Sequence, residues 1–282
     1  MKSSMFTGFF ELYTPEDAVL HLREAGYCCG EFAVDHSRML LGRSGDTEKT
    51  GLAFRRFMED NGFATPQGHL DFENDICTRE TIDALKREIT LFQAMGIKNA
   101  VFHINGGKEL PEKVRIETQE RHIRELLEFV EGTDFTFCLE NLMTNPTITD
   151  ADKLLGWIER LGGKNLGICL DTGHLHYTRL GLQATEQTHV EFIHKAGKYL
   201  KALHIQSNDG SADQHLAPFT GRKNRIDWAS IVTALREIDY QGLFNLEVCG
   251  EVETYPPLPV LKLKLSYLKH LTDHMLSDEF IA

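Results

Sequence analysis

Cysteine pairs at the spacing of a zinc or redox motif are missing from this sequence. None of its cysteines belongs to a CxxC pair; the six are Cys28, Cys29, Cys77, Cys138, Cys169 and Cys249. The last three lie within apolar runs, where cysteine behaves as a small hydrophobic residue. We therefore predict free thiols in a reducing compartment and no structural zinc site.

We expect no segment that directs the chain into or across a membrane. The first residues, MKSSMFTGFF, contain one lysine and an apolar stretch that is too short for a signal peptide. No run approaches the roughly 20 apolar residues that span a bilayer. We predict a soluble cytoplasmic protein with no membrane partner.

Positive charge is scarce relative to negative charge. Lys and Arg number 30 against 42 Asp and Glu, which gives a formal net charge of −12. Because non-specific binding to a phosphate backbone depends on clustered Lys and Arg, this balance disfavours a nucleic-acid partner.

Disorder is disfavoured too, since 41% of the residues are hydrophobic and only 8 are Pro. The composition indicates a folded chain with a sizeable core. The segment 258–276 has a broad apolar face, which we expect either to pack on the rest of the fold or to contribute to a homo-oligomer interface.

Short β-type runs alternate with helical patterns along the whole chain. The runs lie at 4–10, 27–35, 62–72, 99–104, 135–141, 165–171, 201–207 and 243–249. The helical patterns lie at 14–26, 78–96, 113–131, 149–161, 187–199, 227–239 and 258–276. Eight strands with intervening helices are the count for a barrel. The competing open, doubly wound sheet usually carries a GxGxxG turn after its first strand, and this chain has none there.

We therefore predict an α/β fold, a single (β/α)8 TIM-barrel domain over residues 1–282. Two segments after predicted strands, 36–50 and 250–258, are expected to be loops that determine substrate specificity.

A histidine or a carboxylate stands at the end of every predicted strand from the third to the eighth. In chain order these residues are His69, His103, Glu140, Asp171, His204 and Glu247. The stretch LGICLDTGHLHY adds His174 after the sixth strand, and the loop after the seventh adds Asp213 and His215. Because the carboxyl ends of barrel strands meet at one rim, where active sites form, we expect these side chains to surround one site.

Four of these residues form a candidate ligand set for a divalent metal. Glu140, Asp171, His204 and Glu247 are separated by 31, 33 and 43 residues, about one βα unit each. An ionised carboxylate inside an apolar run must be paired or bind a metal. Three carboxylates and one imidazole suit Mn²⁺, Mg²⁺ or Co²⁺, with Zn²⁺ as an alternative.

Three motifs resemble the xylose isomerase-like TIM-barrel superfamily: DTGH in strand six, HIQSNDG…DQHLAPFTGRKNRIDW after strand seven, and LEV in strand eight. This superfamily includes sugar isomerases and epimerases, inosose dehydratases and the DNA-repair endonuclease IV. The resemblance covers essentially the whole chain and is most specific over 135–250. In the sugar branch it implies one divalent metal on Glu140, Asp171, His204 and Glu247, with the two glutamates also acting as the acid/base pair.

The endonuclease IV branch implies a larger metal site. Its members hold three zinc ions on nine residues, and all nine ligand types are matched in this chain. The additional five are His69, His103, His174, Asp213 and His215. Ligand identity alone therefore does not separate the two branches.

The first functional hypothesis is isomerisation or epimerisation of a ketose or keto-polyol. The metal would bind the carbonyl, and Glu140 and Glu247 would move the proton on the neighbouring carbon. His174 is a further candidate catalytic residue, and His69, His103 and His215 would orient hydroxyls or shuttle protons. The predicted substrate contacts near the rim are Asn105, Gln206, Asn208 and Arg225.

Other hypotheses use the same residues. A dehydratase or lyase would eliminate water from a keto-sugar with the same apparatus. A phosphodiesterase acting on abasic DNA would use up to three zinc ions, although the acidic composition and the absence of a basic stripe weigh against it. A barrel with a decayed site is the non-catalytic alternative, and the intact ligand set weighs against it.

Overall fold

A computed structural model describes residues 1–73, 75–220, 225–248 and 256–281. It contains one sheet of eight parallel strands in the order β7-β6-β5-β4-β3-β2-β1-β8. The strands are β1 (Lys2–Phe6), β2 (Cys29–Phe32), β3 (Ala64–His69), β4 (Asn99–Phe102), β5 (Thr136–Glu140), β6 (Leu166–Asp171), β7 (Leu200–His204) and β8 (Leu243–Leu246). A parallel bridge between Ile205 and Leu246 joins the two ends of the order, so the sheet is a nearly closed barrel. The predicted TIM barrel is confirmed.

Helices surround the barrel. They are α1 (Pro15–Glu24), α2 (Val34–Leu41), α3 (Thr47–Asp60), α4 (Arg79–Met95), α5 (Glu112–Phe129), α6 (Ala151–Leu161), α7 (Thr172–Leu180), α8 (His189–Ala196), α9 (Trp228–Glu237) and α10 (Leu258–Leu276). Their starts follow from local chemistry: the Thr14 and Thr78 hydroxyls accept backbone N–H bonds at the beginnings of α1 and α4. In the described part of the chain, no helix has the length and apolarity to cross a membrane.

The prediction of a loop over 36–50 was wrong. Residues 34–41 form α2, and α3 begins at Thr47, with Asp46 as its N-cap. The sequence of α2 mixes Asp35 and Ser37 with apolar residues, which hid its helical pattern, and the helix packs against α3 and α4. Only a short turn around 42–46 remains. Of the second predicted loop, 250–258, residues 250–255 lie outside the described part of the chain.

Alternation along the strands separates two packing environments. Residues such as Phe137, Leu139, Ile168 and Leu170 belong to the large core cluster that includes the helices. The intervening residues of four strands form a separate small cluster; these are Val101, Cys138, Cys169 and Ala202. Because successive strand side chains point to opposite faces, this second set fills the barrel interior. Each of its members precedes a predicted ligand by two residues, so the ligands lie one layer above it, at the carboxyl rim.

Candidate metal centre

Four side chains converge at the rim to form the central cluster, defined as Glu140, Asp171, His204 and Glu247. Each offers one ligand atom, and these atoms lie within 4.8 Å of one another. His204 Nδ1 lies 3.3 Å from Glu140 Oε1, 3.1 Å from Glu247 Oε2 and 3.9 Å from Asp171 Oδ2. The parallel register aligns the ends of these strands, for example Asp171 beside His204. The four residues named as metal ligands from the sequence are therefore together.

Electrostatics within the central cluster favour a bound cation. Burial, reinforced by the nearby Glu247 and Glu140 carboxylates, raises the pKa of Asp171 to about 7 against the opposing effect of His174. Burial also opposes ionisation of Glu140, but His204 and His103 hold its pKa well below the usual range. Glu247 Oε2 is buried, and its contact with His204 Nδ1 at 3.1 Å does not have the geometry of a hydrogen bond. Three clustered carboxylates, one of them with an oxygen that accepts no hydrogen bond from the described residues, fit an oxygen-binding divalent cation.

Asp171 also has a structural role at the start of α7. Its Oδ1 accepts the backbone N–H of His174 at 2.6 Å, so the aspartate caps the helix that follows β6. The Asn141 side chain forms hydrogen bonds with both backbone groups of Asp171: its amide donates to the carbonyl at 3.0 Å, and its Oδ1 accepts from the N–H at 2.8 Å. These bonds fix Asp171 so that Oδ2 faces His204.

Two further clusters adjoin the central one. In the first, Glu140 Oε2 lies 2.6 Å from His103 Nε2 and 3.5 Å from His69 Nε2. In the second, Asp213 Oδ2 lies 3.2 Å from His174 Nε2 and 3.1 Å from His215 Nε2. Each trio has the spacing to hold one metal ion. All nine predicted residues are thus brought into one network, and whether the outer five are ligands or substrate contacts stays a prediction.

The chain reverses direction between Ser207 and Leu216, which places Asp213 and His215 at the rim. Ser207 and Leu216 form an antiparallel bridge with N–H···O distances of 2.7 and 2.8 Å. The intervening segment leaves the rim after β7 and returns to it, and His215 takes a positive φ of 47°. His215 Nδ1 lies 3.1 Å from the Glu247 carbonyl, which ties the returning segment to β8.

A cavity of about 580 Å³ opens above the clusters, within the range of small-molecule sites. The predicted catalytic residues Glu140, Glu247 and His174 line it. Besides the clusters, its lining includes the acidic residues Glu73, Asp75 and Glu109, and Lys108 is the only Lys or Arg among the described lining residues. The lining comprises His69, Phe72, Glu73, Asp75, His103, Asn105, Gly106, Lys108, Glu109, Glu140, Leu142, Met143, Thr144, His174, Asp213, His215 and Glu247.

The four predicted substrate contacts occupy different environments. Asn105 lines the cavity, and its side chain donates to the Phe72 carbonyl. Gln206 and Asn208 are buried. Gln206 Nε2 donates to Asp213 Oδ1 at 2.8 Å and to Asp171 Oδ1 at 3.2 Å, whereas Asn208 donates to the Gly173 carbonyl at 2.8 Å. Arg225 is exposed and lines a separate depression on the surface. Substrate contact stays a prediction for all four.

Glu31 is a buried carboxylate beside the central cluster that was not predicted from the sequence. It is buried on β2, and its Oε2 lies 2.9 Å from His204 Nε2. The Gln67 amide donates to the same oxygen. The available signal was a carboxylate inside the apolar stretch CGEFAV, the same signal that identified Glu140 in FCLENL.

Comparisons with known proteins agree with this architecture. A family model described as "Xylose isomerase-like TIM barrel" matches residues 19–271. An uncharacterized protein, y4fM, from Sinorhizobium fredii is 27% identical over 174 residues, which are 59% of this chain and 52% of that protein. A D-psicose 3-epimerase from Enterocloster bolteae is 24% identical over 217 residues, 71% of this chain and 67% of that enzyme. The chain thus spans about half of the length of the first relative.

Solved structures include close matches to the fold. A D-psicose 3-epimerase crystallised in the presence of D-fructose superposes with a TM-score of 0.76, over 98% of this chain and 99% of that chain, at 14% sequence identity. At this identity the likeness establishes the barrel and leaves the substrate open.

Proposed function

Because the chain belongs to the xylose isomerase-like TIM barrel family, we propose that it is a divalent-metal-dependent isomerase or epimerase of a ketose or keto-polyol. The observation that carries this proposal is the central cluster, in which two glutamates, an aspartate and a histidine meet, and the two glutamates line a cavity. Ketose epimerases among the relatives and matched structures support the substrate class.

Glu140 and Glu247 are the proposed proton-transfer pair. Burial would raise the pKa of Glu247, but His204 and His215 outweigh it and hold the pKa at about 2. Both glutamates are therefore ionised near neutral pH and can each accept a proton from a carbon acid positioned in the cavity. One removes the proton from the carbon beside the substrate carbonyl. The other first takes up a proton from solvent or from a substrate hydroxyl, and then delivers it to the same carbon or to its neighbour.

The remaining residues bind and orient the substrate. His69, His103 and His215 line the cavity and can bind hydroxyl groups. Burial opposes protonation of His174, but Asp171, Asp213 and Glu140 raise its pKa well above the ordinary value, so it can donate a proton or a hydrogen bond. A divalent cation held by the central cluster would stabilise negative charge at a substrate oxygen. We propose Mn²⁺, Mg²⁺ or Co²⁺ from the donor set, with Zn²⁺ as the alternative.

Solvent deuterium exchange tests the proposal. Protein loaded with each metal in turn is incubated in D₂O with a panel of ketoses and keto-polyols, and NMR follows the C–H beside the carbonyl. We expect exchange with at least one compound, its loss with EDTA, and its loss in Glu140→Gln and Glu247→Gln. Glu48→Gln, an exposed position on α3, is the control that removes a carboxylate elsewhere. No exchange with any compound under any metal would contradict the proposal.

The same spectra separate a related activity. A dehydratase or lyase would give a product that has lost water, whereas an isomerase or epimerase gives a product of unchanged composition.

A metal-dependent phosphodiesterase is the second candidate, and the three adjoining clusters are the observation that favours it. Two or three metals could clamp a phosphate group. The acidic outer lining, with Glu73, Asp75 and Glu109 around the single described cation Lys108, opposes a polyanionic substrate. Incubation of zinc-loaded protein with abasic duplex DNA at physiological salt distinguishes the two. Nicking that disappears in Asp213→Asn would favour this candidate over the sugar chemistry.

A further inference from the structure

The inference rests on the metal site of the proposed function. Glu31 lies behind His204, a proposed ligand of that site, on the side away from the other carboxylates. His204 is fully buried, and both of its ring nitrogens have carboxylate neighbours. Nδ1 faces Glu247 and Glu140 at 3.1 and 3.3 Å, while Nε2 lies 2.9 Å from Glu31 Oε2. We propose that Glu31 is a positioning residue that fixes the orientation and tautomer of His204, so that the Nδ1 lone pair is presented to the metal.

The tautomer follows from the charges around the ring. A neutral imidazole carries one N–H donor and one lone pair. If Nε2 bears the hydrogen, it donates to Glu31 and leaves the Nδ1 lone pair free for a cation. The opposite tautomer would direct the Nε2 lone pair at the Glu31 carboxylate and place a hydrogen on Nδ1, where the metal must bind. Carboxylates that accept from the second nitrogen of a ligand histidine have this effect in metal sites generally.

Glu31 is itself held in place from the neighbouring strand. The β2–β3 register pairs Glu31 with Gln67, and the Gln67 amide donates to Glu31 Oε2. Gln67 Nε2 also lies 3.5 Å from the carbonyl of Leu203, the residue before His204. Glu31 Oε1 accepts no hydrogen bond from the residues that the structure describes. The described hydrogen bonds of this carboxylate therefore converge on Oε2, which faces His204.

The arrangement connects strands that are far apart in the barrel order. β2 and β7 do not pair with each other in the sheet, so the bond from Glu31 to His204 crosses the barrel interior. The interior layer beneath the rim is formed in part by the small side chains of Val101, Cys138, Cys169 and Ala202. A buried carboxylate in this position is costly unless it is paired, and His204 and Gln67 are its described partners.

Metal affinity is the quantity that tests this role. Zn²⁺ and Co²⁺ affinities are measured by competition with a chromophoric chelator for the wild type, Glu31→Gln and Glu31→Ala. Loss of such a partner lowers metal affinity by about 10–100-fold. We expect a loss of this size, larger for the alanine than for the glutamine, which keeps an acceptor oxygen. The visible spectrum of the Co²⁺ protein should change in both variants because the coordination geometry at His204 is disturbed.

Glu88→Gln is the matched control, since Glu88 is an equally buried carboxyl group on α4 whose described hydrogen bonds go to Ser37 and Asp71. It should leave affinity and the Co²⁺ spectrum unchanged. A purely structural role of Glu31 would instead lower the unfolding free energy of the metal-free protein while leaving both metal readouts at wild-type values. That result overturns the proposal.

If neither Glu31 variant folds, a measurement on the wild type tests which nitrogen of His204 bears the hydrogen. Long-range ¹H–¹⁵N correlation spectra of the Zn²⁺-loaded protein report which nitrogen of each histidine bears a hydrogen. We expect His204 to be protonated at Nε2 and metal-bound at Nδ1, and the reverse assignment overturns the proposal. These readouts involve no sugar, so they are independent of whether the proposed isomerase activity is found.

Discussion

Burial of Glu88 on α4 makes the stability of the protein depend on pH. Its Oε1 accepts from the Ser37 hydroxyl and its Oε2 from the Asp71 N–H at 2.9 Å. Burial outweighs these two hydrogen bonds and raises the pKa of Glu88 from 4.5 to about 7. The folded state therefore holds this proton more tightly than the unfolded state. The contribution to stability is complete below about pH 4.5 and is lost as the pH rises to about 7.

The magnitude follows from the size of the shift. The difference between 4.5 and about 7, at about 1.36 kcal/mol per pKa unit, corresponds to about 3 kcal/mol. Glu88→Gln removes the titrating group and keeps the shape of the side chain. We expect the unfolding free energy of the variant, relative to the wild type, to rise by about 3 kcal/mol between pH 4 and pH 8. A constant offset is expected as well, because a glutamine has one acceptor oxygen for the two donors.

Urea unfolding of the metal-free proteins at several pH values measures this difference. The slope of the difference with pH is the readout, and the constant offset does not affect it. Glu48→Gln, at an exposed position, serves as the control for removal of a carboxyl group. If the unfolding free energies of the wild type and Glu88→Gln change with pH in parallel, Glu88 has the same pKa in the folded and unfolded states, and its predicted effect on stability is absent.

Three further predictions concern the site itself. In Gly173→Ala the new Cβ would lie 2.0 Å from Gln206 Oε1. We therefore expect the unfolding free energy in urea to fall by about 1–3 kcal/mol and metal binding to weaken, and wild-type values of both quantities would contradict this. Glu140→Gln and Glu247→Gln should each slow deuterium exchange into the substrate by about 10²–10⁴-fold, and NMR rates within tenfold of wild type (about 1.4 kcal/mol) would remove that residue from the proton-transfer pair. Addition of EDTA should lower the unfolding free energy by about 4 kcal/mol relative to protein with metal at 1,000 times its Kd, and adding metal back should restore it. An unchanged urea midpoint would argue against a specific metal site.

The rim of the barrel was predictable because strand ends are marked in the sequence. A buried parallel strand is an apolar run, and a charged residue at its end stands out, as with Glu140 in FCLENL and Asp171 in LGICLD. The spacing of one βα unit then places these residues side by side. The resemblance to the xylose isomerase-like barrels, carried by DTGH and by the segment after β7, is likewise confirmed.

The positions of Gln206, Asn208 and Glu31 depend on interactions that the spacing of residues in the sequence does not reveal. Gln206 and Asn208 follow β7 directly, yet the bridge between Ser207 and Leu216 returns the chain over the rim and leaves both side chains buried behind the carboxylates. Glu31 contacts a histidine 173 positions away. Such contacts follow from barrel closure, which periodicity along one strand cannot indicate.

Metal content is the most direct test of the central claim that the four rim residues hold a divalent ion. The protein is purified without chelator, exposed separately to Mn²⁺, Mg²⁺, Co²⁺ and Zn²⁺, freed of loose ions by gel filtration, and subjected to elemental analysis beside Asp171→Asn. We predict about one tightly bound ion per chain and less in the variant. For zinc we predict up to about three ions if the outer clusters are also ligands. A chain that retains none of the four ions, or that retains them equally in Asp171→Asn, would contradict it.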